Sequence, residues 1–97
     1  MNQISPHELK QWTDNGKDFI LIDIREDWER EHFNIGGTHI PMGELFSHDH
    51  KLPADKEVVL YCEKGIRSVI AIQRLEASGF QNLFNLAGGM KAWKEAL

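Results

Sequence analysis

Two apolar runs dominate the hydrophobic pattern of the chain. Phe19-Ile20-Leu21-Ile22-Asp23-Ile24 is nearly continuous in apolar and β-branched residues, which predicts a strand covered on both faces. Glu57 to Tyr61 predicts a second strand of the same kind. Helical patterns lie between and around them. Ser5-Pro6-His7-Glu8 reads as a capping box with proline at the first helical position, so a helix starts at Pro6. It ends near Asp14, where Asn15-Gly16 supplies a left-handed stop. The charged stretch Arg25 to His32 predicts a short exposed helix. Gly36-Gly37 breaks the chain before a short strand, Thr38-His39-Ile40, which Pro41 ends. Met42 to Leu52 reads as a helical turn and a polar loop. From Arg67 to Ala77 a helix is predicted with Ile66, Val69, Ile70 and Ala77 on one side, and Ile72 and Leu75 extend its apolar surface. Gly79 ends it, Leu83 and Phe84 mark a short strand, and Met90 to Ala96 forms a last helix after Gly88-Gly89. Apolar strands alternating with helices imply an α/β fold with a largely parallel sheet.

Length narrows the picture to one domain over residues 1–97, because 97 residues are enough for a moderate core and too few for two. The net charge of -4 argues against nucleic acid as a partner. No leader-like or membrane-spanning apolar run is seen, so no membrane partner is expected. A single cysteine forms no intramolecular disulfide, which fits a reducing compartment and predicts a cytoplasmic protein.

That cysteine carries the candidate chemistry. Cys62 lies between the second apolar run and the next helix, at the carboxyl end of a strand, where α/β sheets form their crevices. A helix N-terminus offers unpaired amides and partial positive charge, and Lys64 and Arg67 add full charges, so the thiolate is favoured. Glu63 works mildly in the other direction. The amides from Glu63 through Arg67 can converge on the sulfur, with Gly65 permitting the turn. Arg67 can grip oxyanion oxygens by paired hydrogen bonds. Sulfur transfer and phosphoryl transfer both suit such a loop. Cysteine phosphatases, however, use a longer spacer between nucleophile and arginine, and here Glu63, Lys64, Gly65 and Ile66 are the whole spacer. The tighter loop favours a single sulfur atom.

Cys62-Glu63-Lys64-Gly65-Ile66-Arg67-Ser68 resembles the Cys-x-x-Gly-x-Arg-Ser active-site loop of rhodanese-like sulfurtransferases. Two other blocks are similar to the same family. Leu21-Ile22-Asp23-Ile24-Arg25-Glu26 resembles its strand ending in Asp-x-Arg-Glu, and Leu75 to Trp93 its Leu-x-x-x-Gly-Phe through Gly-Gly-x-x-x-Trp ending, carried by Gly79-Phe80, Leu86, Gly88-Gly89 and Trp93. The resemblance implies a central parallel sheet of about five strands with helices on both faces. It also implies a thiosulfate sulfurtransferase without metal or organic cofactor. Cys62 would be catalytic and carry a persulfide, with Glu63, Lys64, Gly65, Ile66, Arg67 and Ser68 around the substrate. Lys64 and Arg67 would attract a small anionic donor such as thiosulfate, and a thiophilic small molecule or protein would accept the sulfur. Where many members have Gly-His-Ile, this chain has Phe33-Asn34-Ile35 and a segment to Ile40-Pro41 one residue shorter. That departure bears on the surface beside the site, and on the partner, more than on the chemistry.

Other readings are weaker. A non-catalytic persulfide carrier or interaction module is the main alternative. A cysteine phosphatase or arsenate reductase is disfavoured by the short spacer and the absence of a second cysteine. Asp23 and Arg25 are expected to form a buried structural pair. His48-Asp49-His50 on a polar loop is not read as a metal site, and the acidic run Glu26, Asp27, Glu29 and Glu31 is read as a solvated helix face. Trp12 and Trp93 are expected to anchor helices, leaving Trp28 exposed.

Overall fold

The two apolar runs lie side by side. β2 (Ile20–Asp23) and β4 (Val58–Tyr61) pair in parallel, Ile20 opposite Val58 through Asp23 opposite Tyr61. β3 (Thr38–His39) extends the sheet beyond β2, and β5 (Leu83–Leu86) followed by β1 (Asn2–Ile4) extends it beyond β4. The order is β1-β5-β4-β2-β3, and each recorded pairing is parallel. The computed structural model describes residues 1–47 and 52–97, so the His48-Asp49-His50 run lies outside the described residues.

Helices cover both faces, as the nearly continuous apolar character of β2 and β4 requires. On one side α3 (Met42–Ser47) and α4 (Ile66–Ala77) pack against Ile22, Val58, Leu60 and Leu83. On the other, α1 (Pro6–Asp14) and α5 (Gly89–Ala96) cover Val59, Tyr61, Phe84 and Leu86. Alternation along β4 therefore sends Val58 and Leu60 to one core and Val59 and Tyr61 to the other, all of them buried. Ser5 caps α1 with the reciprocal bonds of the expected capping box. Trp12 meets Phe19 and Phe84 edge-on, each at 5.4 Å between centroids, and Trp93 packs in the same cluster. Trp28, on α2 (Asp27–His32), is 70% exposed. No helix among the described residues is long and apolar enough to cross a membrane.

Three details differ from the sequence-based reading. β1 is unexpected, since its three residues include one apolar side chain, Ile4, and its strand character comes from pairing along β5. β5 runs on to Leu86 through Asn85, a polar residue that interrupts the apolar pattern. The buried face of α4 is Ser68, Ala71 and Ile72 with Leu75 partly covered, while Ile66, Ile70 and Ala77 face outward. The buried positions follow an i, i+3, i+4, i+7 stripe that also turns Ser68 inward toward Cys62.

Candidate active site

Cys62 follows the last residue of β4, and α4 begins four residues later, so the sulfur faces a helix N-terminus. Its side chain is almost fully buried, at the floor of a cavity of about 400 Å³ lined by Glu29, Cys62, Glu63, Lys64, Ile66 and Arg67. Gly65 N–H donates to Sγ at 3.1 Å and Ser68 N–H at 3.4 Å. The Ser68 hydroxyl lies 3.3 Å from Sγ. The contact set is thus narrower than the convergence from Glu63 through Arg67 that the sequence suggests. The amides of Ile66 and Arg67, in the first turn of α4, have no partner one turn earlier in that helix.

The loop owes its shape to a second loop. Gly65 sits at φ +85°, and a side chain there would press on Gly88 N at 3.1 Å. Across the same contact, a Cβ on Gly89 would come within 2.5 Å of Cys62 O. The first turn of α5 instead donates to the cysteine loop, Met90 N–H to Cys62 O and Lys91 N–H to Glu63 O, both at 2.9 Å. These bonds hold the two carbonyls toward α5. The Gly88-Gly89 pair, visible in the sequence as a break, is therefore part of the machinery that shapes the site.

Two arginines bind carboxylates around the cysteine loop. Arg25 is buried and forks onto Asp23, Nε to Oδ1 and Nη2 to Oδ2, each at 3.0 Å. It also donates to Phe33 O at 2.6 Å and to Glu63 Oε1 at 3.2 Å. The expected Asp23–Arg25 pair is present, and it ties the end of β2, the end of α2 and the cysteine loop together. Glu63 accordingly faces a cation. The departure at Phe33-Asn34-Ile35 leaves this intact, because Arg25 binds the Phe33 carbonyl and Tyr61 Oη donates to Gly36 O at 2.9 Å. Burial, with Asp23 nearby, pushes the Tyr61 phenol up to about 12.

Arg67 does not point freely at the cavity. Nη1 donates to Glu29 Oε1 and Nη2 to Glu29 Oε2, each at 2.8 Å. Glu29 also accepts from Glu26 N–H as part of the cap of α2. The hydrogen bond from Arg67 holds the Glu29 carboxyl below its usual range, with burial working against it. Glu29 is therefore corrected from a solvated surface charge to a largely buried partner of the loop arginine, whereas Glu26, Asp27 and Glu31 are exposed as expected. Nothing local in the sequence marks it, since Glu29 and Arg67 are 38 residues apart. Lys64 is exposed and has no carboxylate partner among the described residues.

Comparison with known proteins agrees with this architecture. Residues 5–96 match the Rhodanese-like domain family. The chain is 37% identical over 98 residues to the probable adenylyltransferase/sulfurtransferase MoeZ of Mycobacterium tuberculosis, covering 97% of this chain and 25% of MoeZ. It thus spans a quarter of that relative's length. To the putative sulfurtransferase YtwF of Bacillus subtilis it is 36% identical over 95 residues, 97% of this chain and 91% of YtwF. A crystal structure of a rhodanese-like domain protein from Staphylococcus aureus superposes with a TM-score of 0.85 at 29% identity, over 96% of this chain and 91% of that one.

Proposed function

The chain belongs to the rhodanese-like domain family, and from that premise we propose that residues 1–97 act as one sulfurtransferase domain working through a persulfide on Cys62. The observation that carries this reading is the Cys62 sulfur itself, buried at a helix N-terminus and receiving hydrogen bonds from Gly65 and Ser68. In the first half-reaction the Cys62 thiolate attacks the sulfane sulfur of a donor such as thiosulfate. A new S–S bond forms on Cys62, the donor's S–S bond breaks, and sulfite leaves with its electron pair. In the second, a nucleophilic acceptor attacks the outer sulfur and the Cys62 thiolate departs.

Each loop residue has a use in this scheme. Gly65 and Ser68 hold Sγ, and the unpartnered amides of Ile66 and Arg67 face the outer, more exposed sulfur. Lys64 attracts the anionic donor, while Glu63 and Arg67 are held by Arg25 and Glu29. The acceptor is a small thiophile or a protein, and the compartment assigned is the cytoplasm, where a lone thiol stays reduced. No step calls on a cofactor. A persulfide carrier serving a dedicated protein partner is the second reading, favoured by the depth of the sulfur in its cavity.

Thiocyanate formation from thiosulfate and cyanide tests the proposal. Turnover is expected from the native chain and is expected to vanish in Cys62→Ser. Full activity in that variant, or turnover of aryl phosphates by the native chain, overturns it.

A further inference from the structure

Asn85 stands where an apolar residue belongs. It is in β5, opposite Gln3 on β1 and Leu60 on β4, and it is 3% exposed on the same side of the sheet as Leu60 and Leu83. Such a group is retained at a cost unless its hydrogen bonds are made. Its bonds lead straight to the reactive sulfur. Ser68 Oγ donates to Asn85 Oδ1, Ser68 Oγ is 3.3 Å from Cys62 Sγ, and Asn85 Nδ2 donates to Gln3 Oε1 at 2.9 Å.

A hydroxyl has one proton, so Ser68 serves either Asn85 or the sulfur. In the arrangement present, its proton is committed to Asn85 and a lone pair faces Sγ, which suits a neutral thiol donating to Ser68. A thiolate gains from the reverse, which adds a third donor to the Gly65 and Ser68 amides. If Ser68 turns its proton to the anion, its oxygen is left facing Oδ1, two acceptors in close contact. The conflict is removed when the Asn85 and Gln3 amides both turn over, so that Asn85 Nδ2 donates to Ser68 and Gln3 Nε2, released from Met1 Sδ, donates to Asn85 Oδ1. Amide oxygen and nitrogen occupy equivalent positions, so the reversal moves no backbone. Gln3 is exposed at the sheet edge, and its Nε2 rests on the weak acceptor Met1 Sδ at 3.5 Å.

Resting on the persulfide reading, we infer that Asn85 is a positioning residue whose amide reverses with the charge on the Cys62 sulfur and directs the Ser68 proton toward that sulfur when it is anionic. The charged groups around the sulfur stand elsewhere. Glu63, Lys64 and Arg67 of the loop and Glu29 of α2 line the cavity, and Arg25 lies beyond Glu63. The relay approaches from the core side, where Ser68 and Asn85 are buried.

The test reads alkylation of Cys62 by iodoacetamide against pH, which does not depend on sulfur transfer. Ser68→Ala is expected to displace the profile upward by about one unit, equivalent to a roughly tenfold slower reaction at a fixed pH below the midpoint. In an Asn85→Asp background the same Ser68→Ala change is expected to have no effect, because an ionised carboxylate holds the Ser68 proton permanently. In an Asn85→Leu background the effect is expected to return, since the sulfur is then the remaining partner of the hydroxyl. An equal Ser68→Ala effect in all three backgrounds overturns the inference. The wild-type protein gives an independent reading by NMR. The side-chain amide signals of Asn85 and Gln3 are expected to titrate with the alkylation midpoint, and amide signals that stay fixed through that range contradict the relay. Intact coupling without thiocyanate formation would remove the persulfide reading alone; thiocyanate formation without coupling would remove the relay alone.

Discussion

Arg25 and Arg67 are both tied to the cysteine loop, Arg25 through Glu63 and Arg67 as part of it, yet their surroundings give them opposite work. The Arg25 side chain is 1% exposed and the Asp23 carboxylate it grips is 0% exposed. Arg67 is 36% exposed and grips Glu29, whose side chain is 10% exposed. The first pair sits where water is excluded, so removing one member strands a buried charge. The second is at the rim of the cavity, where solvent screens the attraction and the pair contributes much less. Arg25 is a staple that joins three segments. Arg67 is a charge at the site whose effect on an anion is tempered by the carboxylate it holds.

Breaking the deep pair is the largest expected change. Arg25→Met leaves Asp23 with Arg30 Nη1 at 3.5 Å as its remaining side-chain cation among the described residues, and is expected to cost about 3 to 5 kcal/mol, read as a lowered urea midpoint. A loss below about 1 kcal/mol would place Arg25 with Arg67 and erase the contrast.

Arg67→Ala is expected to cost about 1 kcal/mol in the same measurement. Its clearer effect is on function, because it exposes the Glu29 charge to an incoming anion. Half-saturation with thiosulfate is expected to need a several-fold higher concentration, and unchanged saturation would take Arg67 out of the site.

The smallest effect sharpens the comparison by reversing its sign. Glu29→Gln keeps an acceptor for Arg67 but removes the compensating charge, so half-saturation is expected to fall about twofold at low salt, and to do so less at high salt. The stability the pair contributes has a pH signature as well. Because Arg67 lowers the Glu29 carboxyl in the folded protein, the contribution is complete above the ordinary glutamate value of 4.5 and is lost as pH falls through the lower folded value. The stability difference between wild type and Glu29→Gln is therefore expected to be flat at neutral pH and to shrink in acid. A difference that grew in acid would contradict the pairing.

What could be read from the sequence was what lies close together along it. The cysteine loop is seven consecutive residues, and Asp23 and Arg25 are two apart, so both could be recognised before any fold was known. The α/β architecture followed from two apolar runs and the helices between them. Contacts made across the fold left no such mark. Glu29 had the appearance of one charge among many on a short helix until α2 was set against α4. Asn85 broke the apolar period of β5 and made that strand seem to stop at Phe84, when its polarity is there for Ser68. α4 buries the stripe of Ser68, Ala71, Ile72 and Leu75 and leaves Ile66 and Ile70 outside, a choice between two apolar faces that the sequence did not settle. β1 has too little apolar character to declare itself and is a strand because β5 offers it an edge.

The central claim is that Cys62 carries sulfur between donor and acceptor, and intact-protein mass spectrometry before and after thiosulfate tests it most directly. The mass is expected to rise by one sulfur atom, located on Cys62, to return to its starting value when cyanide is added, and to stay unchanged in Cys62→Ser. A native chain that gains no sulfur from thiosulfate, or whose added sulfur survives cyanide, would contradict the account.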